Sequence, residues 1–287
     1  MGQRETGRLQ IMFQHLIVAT DLSPRADRAV ARAFDLAGRL GSALTLLTVI
    51  DEALPEEMAR QMQAAAEERL IRFAASRKAA EAVRHETRVV IGDPVGAISA
   101  AAATEQADLL VLGLHRPRPF LDMLRETTME RIVRLQDRPV LLVTDPVDHP
   151  YKTVLAALDF GPASTNALRL GAELAPEAAL HGVNAVHVPY KGYSPAAGVA
   201  GTSAPFLREA RDSYHLWRDQ APLPDRLGEV ELVEGAVEGV VRSRAAELGC
   251  DLLCLGAHGR VGSAPALLGS LTNDLIRMPP CDLLVAR

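Results

Sequence analysis

The sequence predicts an α/β protein built from two tandem doubly wound domains, each with a parallel sheet that helices cover on both faces. Three observations support this fold class. Short apolar runs alternate with helix-like segments along the whole chain, which is typical of parallel strands joined by right-handed crossovers. A length of 287 residues suits two domains better than one core. Motifs of the first half also recur in the second half, which indicates an internal duplication.

The elements of the first half follow one another in a regular order. His15–Thr20 is an apolar run typical of a strand buried on both faces, and Ser23 and Pro24 then occupy the N-cap and first helical positions. Apolar residues at helical spacing continue this helix until Gly41, which supplies a C-terminal stop. The remaining predicted elements are strand 43–50, helix 55–82, strand 87–91, a helix capped by Asp93, strand 108–113, helix 127–135 and strand 140–143.

A linker separates the two predicted domains. Residues 145–150 contain two prolines and no periodicity, so we predict domains at residues 13–145 and 151–287. Residues 1–12 are interpreted as a frayed extension. Met1–Thr6 fits the loose pattern for N-myristoylation, but that pattern is short and permissive.

The repeated motifs also predict an insertion. Residues 154–163 echo residues 17–25, with Asp159 at an offset of 138 from Asp21, whereas residues 250–259 echo residues 107–116 at an offset of 143. The second copy therefore contains a few extra residues. Tyr190–Ala204, rich in Gly, Pro, Ala and Ser, is too irregular for a core element, and we interpret it as this insertion and as a mobile loop or lid.

Composition narrows the possible functions. Apolar residues make up 48% and charged residues 23%, as in a folded soluble protein, and the net charge of −5 comes from well-mixed signs, which argues against a nucleic-acid partner. No apolar run approaches the roughly 20 residues of a membrane span. Cys250, Cys254 and Cys281 lack Cys-x-x-Cys spacing, so we expect buried free thiols and a cytoplasmic protein. The eight histidines show no metal-ligand spacing either.

The segment 252–274 carries the strongest functional signal. An apolar strand leads into glycines at positions 256, 259, 262 and 269, and a helix can begin at Ser270. Backbone N–H groups in such a loop, together with the positive end of the helix dipole, suit a phosphate group. Ligands of open parallel sheets bind beyond the carboxyl ends of the strands, where Asp159 and Gly256 both stand.

These residues resemble the ATP-binding pattern of the universal stress protein family. The pattern is Gly256-x2-Gly259-x9-Gly269-Ser270, with Asp159 at the end of the first strand and His187-Val188 in the second. The resemblance covers nearly the whole chain as two copies. It implies five parallel strands per domain in the order 3-2-1-4-5 and a nucleotide along the crevice, accompanied by Mg²⁺.

The resemblance also implies individual contacts in the second domain. It assigns adenine and ribose to Ala157, Leu158 and Asp159, the adenine edge to Val188, the ribose and phosphates to Gly256, His258 and Gly259, and the phosphate-holding helix start to Gly269, Ser270, Leu271 and Thr272. Glycine allows close approach of anionic oxygens, and the two hydroxyls add donors.

The first copy departs from this pattern at informative places. Gly113 is present, but Arg116 and Glu126 replace the second and third glycines, which leaves only Thr127. A carboxylate at 126 would obstruct and repel a triphosphate, so we expect that the first domain has lost ATP binding. Arg116 and Arg118 could still attract another anion. In the second copy, Asp282 replaces the proline that usually begins the last strand, which bears on strand geometry.

Several residues allow a second interpretation. His258 could be a catalytic base, but no nucleophile or orienting acid accompanies it, so a ligand contact is favoured. For Asp159 ligand contact is favoured, and for Asp21 a structural role in the turn. Two other groups are interpreted as structural. The arginines at 125, 131, 134 and 138 alternate with acidic residues, which is typical of a solvated helix face. Near-helical spacing predicts a packing stripe formed by Phe206, Leu207, Tyr214 and Trp217.

Two functional hypotheses follow. The first is an ATP-sensing regulatory protein that changes its affinity for a protein partner when ATP orders the loop 190–204. The second, weaker one is a slow ATP hydrolase or self-phosphorylating protein that uses Ser270, Thr272 or a water near His258. AMP or a flavin is a third possible occupant of the crevice. The fifth strands are expected to pair within the chain as a pseudo-dimer, and a homodimer of the whole chain stays open.

Overall fold

The computed structural model describes residues 13–23, 26–77, 79–114, 127–144, 146–188, 203–259 and 268–287. The elements of the first half are β1 (His15–Ala19), α1 (Ala26–Leu40), β2 (Ala43–Asp51), α2 (Glu56–Ala75), β3 (His85–Gly92), α3 (Pro94–Thr104), β4 (Leu109–Gly113), α4 (Thr128–Leu135) and β5 (Val140–Val143). Those of the second half are β6 (Thr153–Ala157), α5 (Pro162–Leu174), β7 (Ala179–Val186), α6 (Ala204–Gln220), β8 (Glu231–Glu234), α7 (Val237–Leu248), β9 (Leu252–Gly256), α8 (Ser270–Arg277) and β10 (Asp282–Ala286).

The strands form one continuous sheet in the order β3-β2-β1-β4-β5-β10-β9-β6-β7-β8. Within each half the strands are parallel, and the predicted order 3-2-1-4-5 is confirmed in both copies. The halves join through β5 and β10, which pair antiparallel with Leu284 opposite Leu141. The predicted pairing of the fifth strands within one chain is therefore confirmed. Joining them removes two exposed sheet edges, each of which would present unpaired backbone groups.

Two apolar cores lie on opposite faces of this sheet. Strand β9 shows why, since Leu252 and Cys254 contribute to the core beneath α1, α2, α5 and α6, whereas Leu253 and Leu255 contribute to the other. Successive side chains of a strand point to opposite faces, so a strand covered on both sides must be apolar throughout. This pattern is the one that made the strands recognisable in the sequence.

Local signals set most element ends as predicted. The Oδ2 of Asp93 accepts a hydrogen bond of 2.8 Å from the backbone N–H of Gly96, which caps α3. Gly41 adopts a left-handed φ of 71° just after α1. The predicted helix 55–82 is too long, however, because α2 ends at Ala75. The Ser76 hydroxyl donates to the carbonyl of Phe73 at 2.7 Å, and such side-chain bonding to the backbone favours a helix end.

A buried polar cluster, formed by Arg32, Thr144, Tyr151 and Asp282, ties the halves together. The Asp282 carboxylate accepts from the Thr144 backbone N–H at 2.8 Å, the Tyr151 hydroxyl at 2.7 Å and Arg32 Nε at 3.3 Å. The Arg32 guanidinium also lies 4.0 Å from the centre of the Tyr151 ring. Burial, reinforced by the charge of Asp282, raises the pKa of the Tyr151 hydroxyl well above its usual value. Asp282 therefore does more than adjust strand geometry, because it satisfies polar groups from both halves.

A second link joins α4 to α8. Glu130 is fully buried, and its carboxylate accepts from Arg277 Nε at 2.6 Å and from the Thr127 backbone N–H at 2.6 Å. The prediction of a solvated face for this helix is thus wrong at Glu130. The reason is tertiary: the second half covers this end of α4, and the carboxylate pairs with an arginine of the other copy. Arg131 and Arg138 are exposed, as expected, and Arg125 lies outside the described residues.

The predicted packing stripe of α6 is confirmed for Tyr214 and Trp217, whereas Phe206 and Leu207 are only half-buried. Tyr214 and Trp217 are buried, and the Trp217 indole N–H donates to the Thr165 hydroxyl at 2.7 Å. The ring of Phe160 packs against both, with centroids 5.9 Å and 5.2 Å away. Their rings therefore anchor α6 to α5. Among the helices that the structure describes, none is long and apolar enough to cross a membrane.

Candidate functional site

The candidate site lies at the carboxyl ends of β6 and β9, the two central strands of the second half. These strands pair in parallel with Ala157 opposite Leu255. After β6 the chain passes through α5 to β7 on one side, whereas after β9 it passes through α8 to β10 on the other. The two connections diverge and leave a crevice between them, which is where open parallel sheets bind ligands. The sequence-predicted residues Leu158, Asp159 and Gly256 therefore meet at one place.

The Asp159 carboxylate organises the turn after β6. Its Oδ1 accepts hydrogen bonds from the Gly161 backbone N–H at 2.9 Å and from the Ser164 hydroxyl at 2.5 Å. Between them, Phe160 has a left-handed φ of 64°. The other carboxylate oxygen faces the glycine loop, since a Cβ built on Gly259 would lie 3.6 Å from Oδ2. Asp159 therefore shapes the start of α5 with one oxygen and borders the crevice with the other.

The first half repeats this turn. The Oδ1 of Asp21 accepts from the Ser23 backbone N–H at 2.9 Å, and Leu22 has a left-handed φ of 59°. The predicted structural role of Asp21 is therefore what the structure shows. Asp159 has the same role through its Oδ1.

The space available for a side chain differs among the three glycines Gly256, Gly259 and Gly269. A Cβ on Gly256 would lie 2.8 Å from the Ser164 backbone nitrogen and 3.1 Å from the Ala163 Cβ, so glycine is required for β9 to pack against the start of α5. A Cβ on Gly259 or Gly269 would meet the described residues only at ordinary distances of 3.6 Å or more. Gly269 also has an ordinary φ of −62°. Packing therefore explains Gly256, whereas the described residues would leave room for a Cβ at Gly259 and Gly269.

Two hydrogen bonds hold the start of α8 close to the end of β9. The Gly269 backbone N–H donates to the Ala257 carbonyl at 2.9 Å, and the Thr272 hydroxyl donates to the Gly256 carbonyl at 2.9 Å. Thr272 is 3% exposed, so its hydroxyl shapes the loop and its proton is committed within the protein. Ser270 is exposed at the first helical position and Leu271 is half-buried. The first backbone N–H groups of a helix have no partner within the helix, and those of α8 follow Gly269 directly in the chain.

The imidazole of His258 stands between these two segments. The residue is half-buried, and its Nδ1 is buried without a hydrogen-bond partner in the part of the chain that the structure describes. A buried polar atom that lacks a partner is costly, so a ligand that supplies one gains affinity. Nothing in the hydrogen bonds of the described residues links His258 to a nucleophile or to an orienting carboxylate, as a catalytic base would require.

The other wall of the crevice is formed by β7. Val188 is buried two residues after this strand, and the Asn184 side-chain amide donates to the Leu158 carbonyl at 2.7 Å. The sequence interpretation missed both Asn184 and Ser164, which position the turn. Their signal was present, because each is a polar residue in an otherwise buried stretch beside a predicted site residue.

The start of α4 in the first half corresponds to the start of α8, but its side-chain hydrogen bonds are different. Thr127, the one phosphate-pattern residue left there, caps α4: its hydroxyl accepts from the Glu130 backbone N–H at 3.2 Å, and the Glu130 carboxylate accepts in return from the Thr127 N–H. Arg116, Arg118 and Glu126 lie outside the described residues, as do Gly262 and all of the predicted insertion except Ser203 and Ala204. No cluster of three or more potential metal ligands occurs among the residues that the structure describes.

Comparison with known proteins identifies similar folds. A profile of the Universal stress protein family matches residues 12–144 and again residues 150–287. A universal stress protein from Archaeoglobus fulgidus is 19% identical with a TM-score of 0.68, over 95% of this chain and 98% of that chain. A functionally unknown protein from Pseudomonas aeruginosa is 20% identical with a TM-score of 0.63, over 96% and 93%. A universal stress protein in complex with cAMP is 29% identical with a TM-score of 0.37, over 46% and 97%. A search of curated proteins finds no match.

Proposed function

The chain belongs to the universal stress protein family, and we propose that its second half binds one ATP molecule as a regulatory ligand. The observation that carries the proposal is the difference between the loop glycines. Gly256 is needed by the fold, whereas a Cβ on Gly259 or Gly269, which border the crevice, would meet no atom of the described residues closer than 3.6 Å. Residues that a fold does not require as glycine, next to a helix start, are best explained by backbone approach to an anion.

The phosphates are assigned to the start of α8. The backbone N–H groups of Ser270 and Leu271 and the exposed Ser270 hydroxyl are donors there, and the helix dipole adds positive potential. The Thr272 hydroxyl is assigned to the loop rather than to the nucleotide, because its proton goes to the Gly256 carbonyl. Mg²⁺ is expected to arrive with the triphosphate and to neutralise part of its charge.

The nucleoside is assigned to the strand ends. Asp159 Oδ2 is placed to accept from a ribose hydroxyl, and His258 Nδ1 gains the partner that it lacks among the described residues. Ala157, Leu158 and the backbone of Val188 line the adenine position beyond β6 and β7. Gly256 is assigned a structural role, because it lets β9 pack closely against the start of α5, and not a direct contact with the nucleotide.

The proposed consequence of binding is a change in affinity for a protein partner. ATP bound at this crevice would order the segment 190–204 and the phosphate loop, most of which lie outside the described residues, and a partner that prefers that form would bind more tightly. Hydrogen exchange in the presence and absence of ATP measures this directly. Unchanged protection of both segments at saturating ATP contradicts the switch and leaves simple binding.

The enzymatic alternative is distinguished by the fate of the nucleotide. Hydrolysis or self-phosphorylation would use Ser270, Thr272 or a water near His258, but the Thr272 proton is already committed and the described residues offer no base for Ser270. After prolonged incubation with Mg²⁺ and ATP, we expect one intact ATP per chain by native mass spectrometry. ADP, or a chain heavier by one phosphate, would instead support chemistry.

The ligand itself is identified by what survives purification. Denaturing the purified chain and analysing the released small molecules by mass spectrometry should recover ATP. Calorimetric titration with ATP, AMP, cAMP, FMN and GTP then separates the contributions of triphosphate and adenine. Tighter binding of cAMP, AMP or FMN than of ATP contradicts the assignment of the phosphates to α8.

A further inference from the structure

Cys250 and Cys281 lie together at the amino ends of β9 and β10, whereas the crevice lies at the carboxyl ends of the strands. Their sulfur atoms are 3.7 Å apart, and all three cysteines of the chain are unbridged. The Cys281 thiol donates to Cys250 Sγ, and the Cys250 thiol donates to the Leu252 carbonyl at 3.2 Å. A disulfide needs the sulfurs to approach to about 2.0 Å, which is a small movement from this separation.

The backbone on both sides holds the two thiols in place. Gly249 ends α7 with a left-handed φ of 58°, and the Cys250 backbone N–H donates to the Ala245 carbonyl at 2.8 Å. Cys281 directly precedes β10, whose first residue pairs with Leu252 of β9. Arg242 of α7 donates to the Met278 carbonyl at 2.7 Å, which ties the segment before Cys281 to the helix before Cys250. The pair is therefore preorganised.

The fold does not need cysteine at either position, as the first half demonstrates. There, Ala107 and Arg138 occupy the equivalent positions. The turn is the same, because the Ala107 backbone N–H donates to the Ala102 carbonyl at 3.0 Å and Gln106 has a left-handed φ of 51°. The thiol pair is thus specific to the second copy and has no structural counterpart in the first.

The three thiols differ in access to solvent. Cys250 is half-buried, Cys281 is 2% exposed, and Cys254 is fully buried between β9 and α5. Burial raises the pKa of the Cys254 thiol well above its usual value, which keeps it protonated and unreactive. Cys250 is therefore the thiol that a reagent in solution reaches first, and the Cys281 sulfur lies 3.7 Å from it.

We propose that Cys250 and Cys281 form an oxidation site at which a hydroperoxide converts the two thiols into a reversible disulfide. The Cys250 thiol loses its proton as its sulfur attacks one oxygen of hydrogen peroxide, the O–O bond breaks, and the leaving hydroxide takes up that proton, so that Cys250 sulfenic acid and one water form. The Cys281 thiol then attacks the sulfenic sulfur, and the S–S bond forms as a second water leaves with the hydroxyl and the thiol proton. Peroxide is reduced and the two thiols are oxidised, so electrons and protons balance.

The bridge would close the loop 250–281, which contains the glycine loop and α8. Closing a loop restricts the unfolded chain, so the oxidised protein should have a Tm higher by about 5 °C. The site lies at the far end of the strands from the crevice and does not depend on the proposed nucleotide. ATP affinity and disulfide formation are therefore separately measurable, and either can fail without the other.

Mass spectrometry of the full chain treated with hydrogen peroxide tests the proposal. The treated chain should be lighter by two hydrogens and, after denaturation, should carry one alkylated thiol at Cys254. Residues 245–260 form one tryptic peptide with both Cys250 and Cys254, so cleavage before Asp251 is added to separate them. The fragment with Cys250 should be joined to residues 278–281, because the same cleavage also cuts before Asp282. A bridge to Cys254, a bridge between two chains, or Cys250 oxidised without a bridge overturns the proposal.

Two variants test the order of attack. In Cys281→Ser, dimedone should trap a sulfenic acid at Cys250 during peroxide treatment. In Cys250→Ser, dimedone should label no residue. Cys281 should still react with the alkylating reagent after denaturation, because burial shields its thiol from peroxide in the folded chain. Labelling of Cys281 to the same extent as Cys250 contradicts the assigned roles. The mapping of the unmodified sequence needs neither variant, so a folding defect in one of them leaves the test intact.

Discussion

The two halves share one scaffold but differ at the end that faces the crevice. Both form the turn after their first strand in the same way, with an aspartate accepting from the N–H two residues on and a left-handed residue between, Leu22 in one and Phe160 in the other. They diverge at the helix after the fourth strand. In the first half, the side chains of Thr127 and Glu130 together cap the start of α4. In the second half, α8 begins after Gly269 with no side-chain cap.

The proposed loss of the nucleotide site in the first half would leave its fold intact. The turn and sheet order are preserved because the core depends on them. The start of α4 is capped by side chains of its own half, whereas no side chain of the described residues caps the start of α8. Thus, the halves can be compared by exchanging residues at matched positions, and the expected effects below run from largest to smallest.

The largest effect is expected for Asp282→Ala at the joint between halves. The variant leaves the buried Arg32 guanidinium, the Tyr151 hydroxyl and the Thr144 N–H without their shared acceptor, which should lower the free energy of unfolding by about 3–5 kcal/mol. Urea unfolding measures this loss. Asp35→Ala, which removes a partly exposed partner of the same arginine, is the control and should cost much less. Equal losses would contradict the importance of the buried cluster.

The next effect is expected for Gly269→Glu, which gives the second half the residue that the first half has at position 126. We expect ATP affinity to fall at least 100-fold, about 2.7 kcal/mol, because a carboxylate beside the phosphates repels them. Gly269→Ala is the matched control, since a Cβ fits at 3.7 Å from its nearest neighbour, and it should fold normally. If Gly269→Glu binds ATP as well as the unmodified chain, the phosphate site is misplaced.

Gly256→Ala and Gly259→Ala separate a fold requirement from a binding requirement. Gly256→Ala should lower the free energy of unfolding by about 2 kcal/mol, because the new Cβ would meet the α5 backbone at 2.8 Å. Gly259→Ala should leave stability within about 0.5 kcal/mol and weaken ATP binding instead. Thermal unfolding and calorimetric titration of both variants measure the two effects. A destabilised Gly259→Ala would remove the main support for the ligand crevice.

A smaller effect is expected for Asp159→Asn relative to Asp21→Asn. Both variants keep a carbonyl oxygen for the turn, so both should fold, but only the change at 159 should weaken ATP binding, by about tenfold or 1.4 kcal/mol. Isothermal titration calorimetry makes the comparison. Equal ATP affinities in the two variants would mean that Asp159 serves only its turn, as Asp21 does.

The smallest effect is a pH dependence at Tyr151, whose counterpart in the first half is Phe13. The pKa of this hydroxyl is raised in the folded protein, mainly by burial. The neutral hydroxyl therefore makes its full contribution to the free energy of unfolding below the unfolded pKa of about 10, and this contribution is lost as the pH rises toward the folded pKa. Stability should therefore fall above pH 10, by up to about 1.4 kcal/mol per pH unit. Urea unfolding of Tyr151→Phe should show a shallower fall, and parallel curves would contradict this cause.

The sequence was most informative where one local signal suffices. Runs such as Leu252–Leu255 are apolar throughout because both faces of the strand are covered, and a strand of this kind is readable without its neighbours. The repeat exposed the duplication, and the residues around Asp159 and Gly256 marked the crevice. The length of α2 was overestimated because its apolar and Ala-rich pattern continues past Ala75, whereas the helix ends at a side-chain contact of Ser76.

The roles of single residues in the site needed the three-dimensional packing. Gly256, Gly259 and Gly269 are indistinguishable as letters, and only the neighbouring atoms separate the glycine that α5 requires from the two that it does not. Likewise, the Thr272 hydroxyl is a potential phosphate donor in the sequence, but in the fold it donates to the Gly256 carbonyl. Polar groups choose partners by distance and burial, which a linear pattern does not contain.

The sequence by itself determined the α/β class, the two copies and the edge of the sheet where a ligand would bind, because alternating periodicity and repeated motifs are local properties of the chain. The tertiary structure alone decided the contacts between distant residues. It buried Asp282 among Arg32, Thr144 and Tyr151, placed Glu130 against Arg277 of the other copy, and brought the Cys250 and Cys281 sulfurs within 3.7 Å. Such pairings depend on how the two halves pack, and no periodicity in the sequence encodes them.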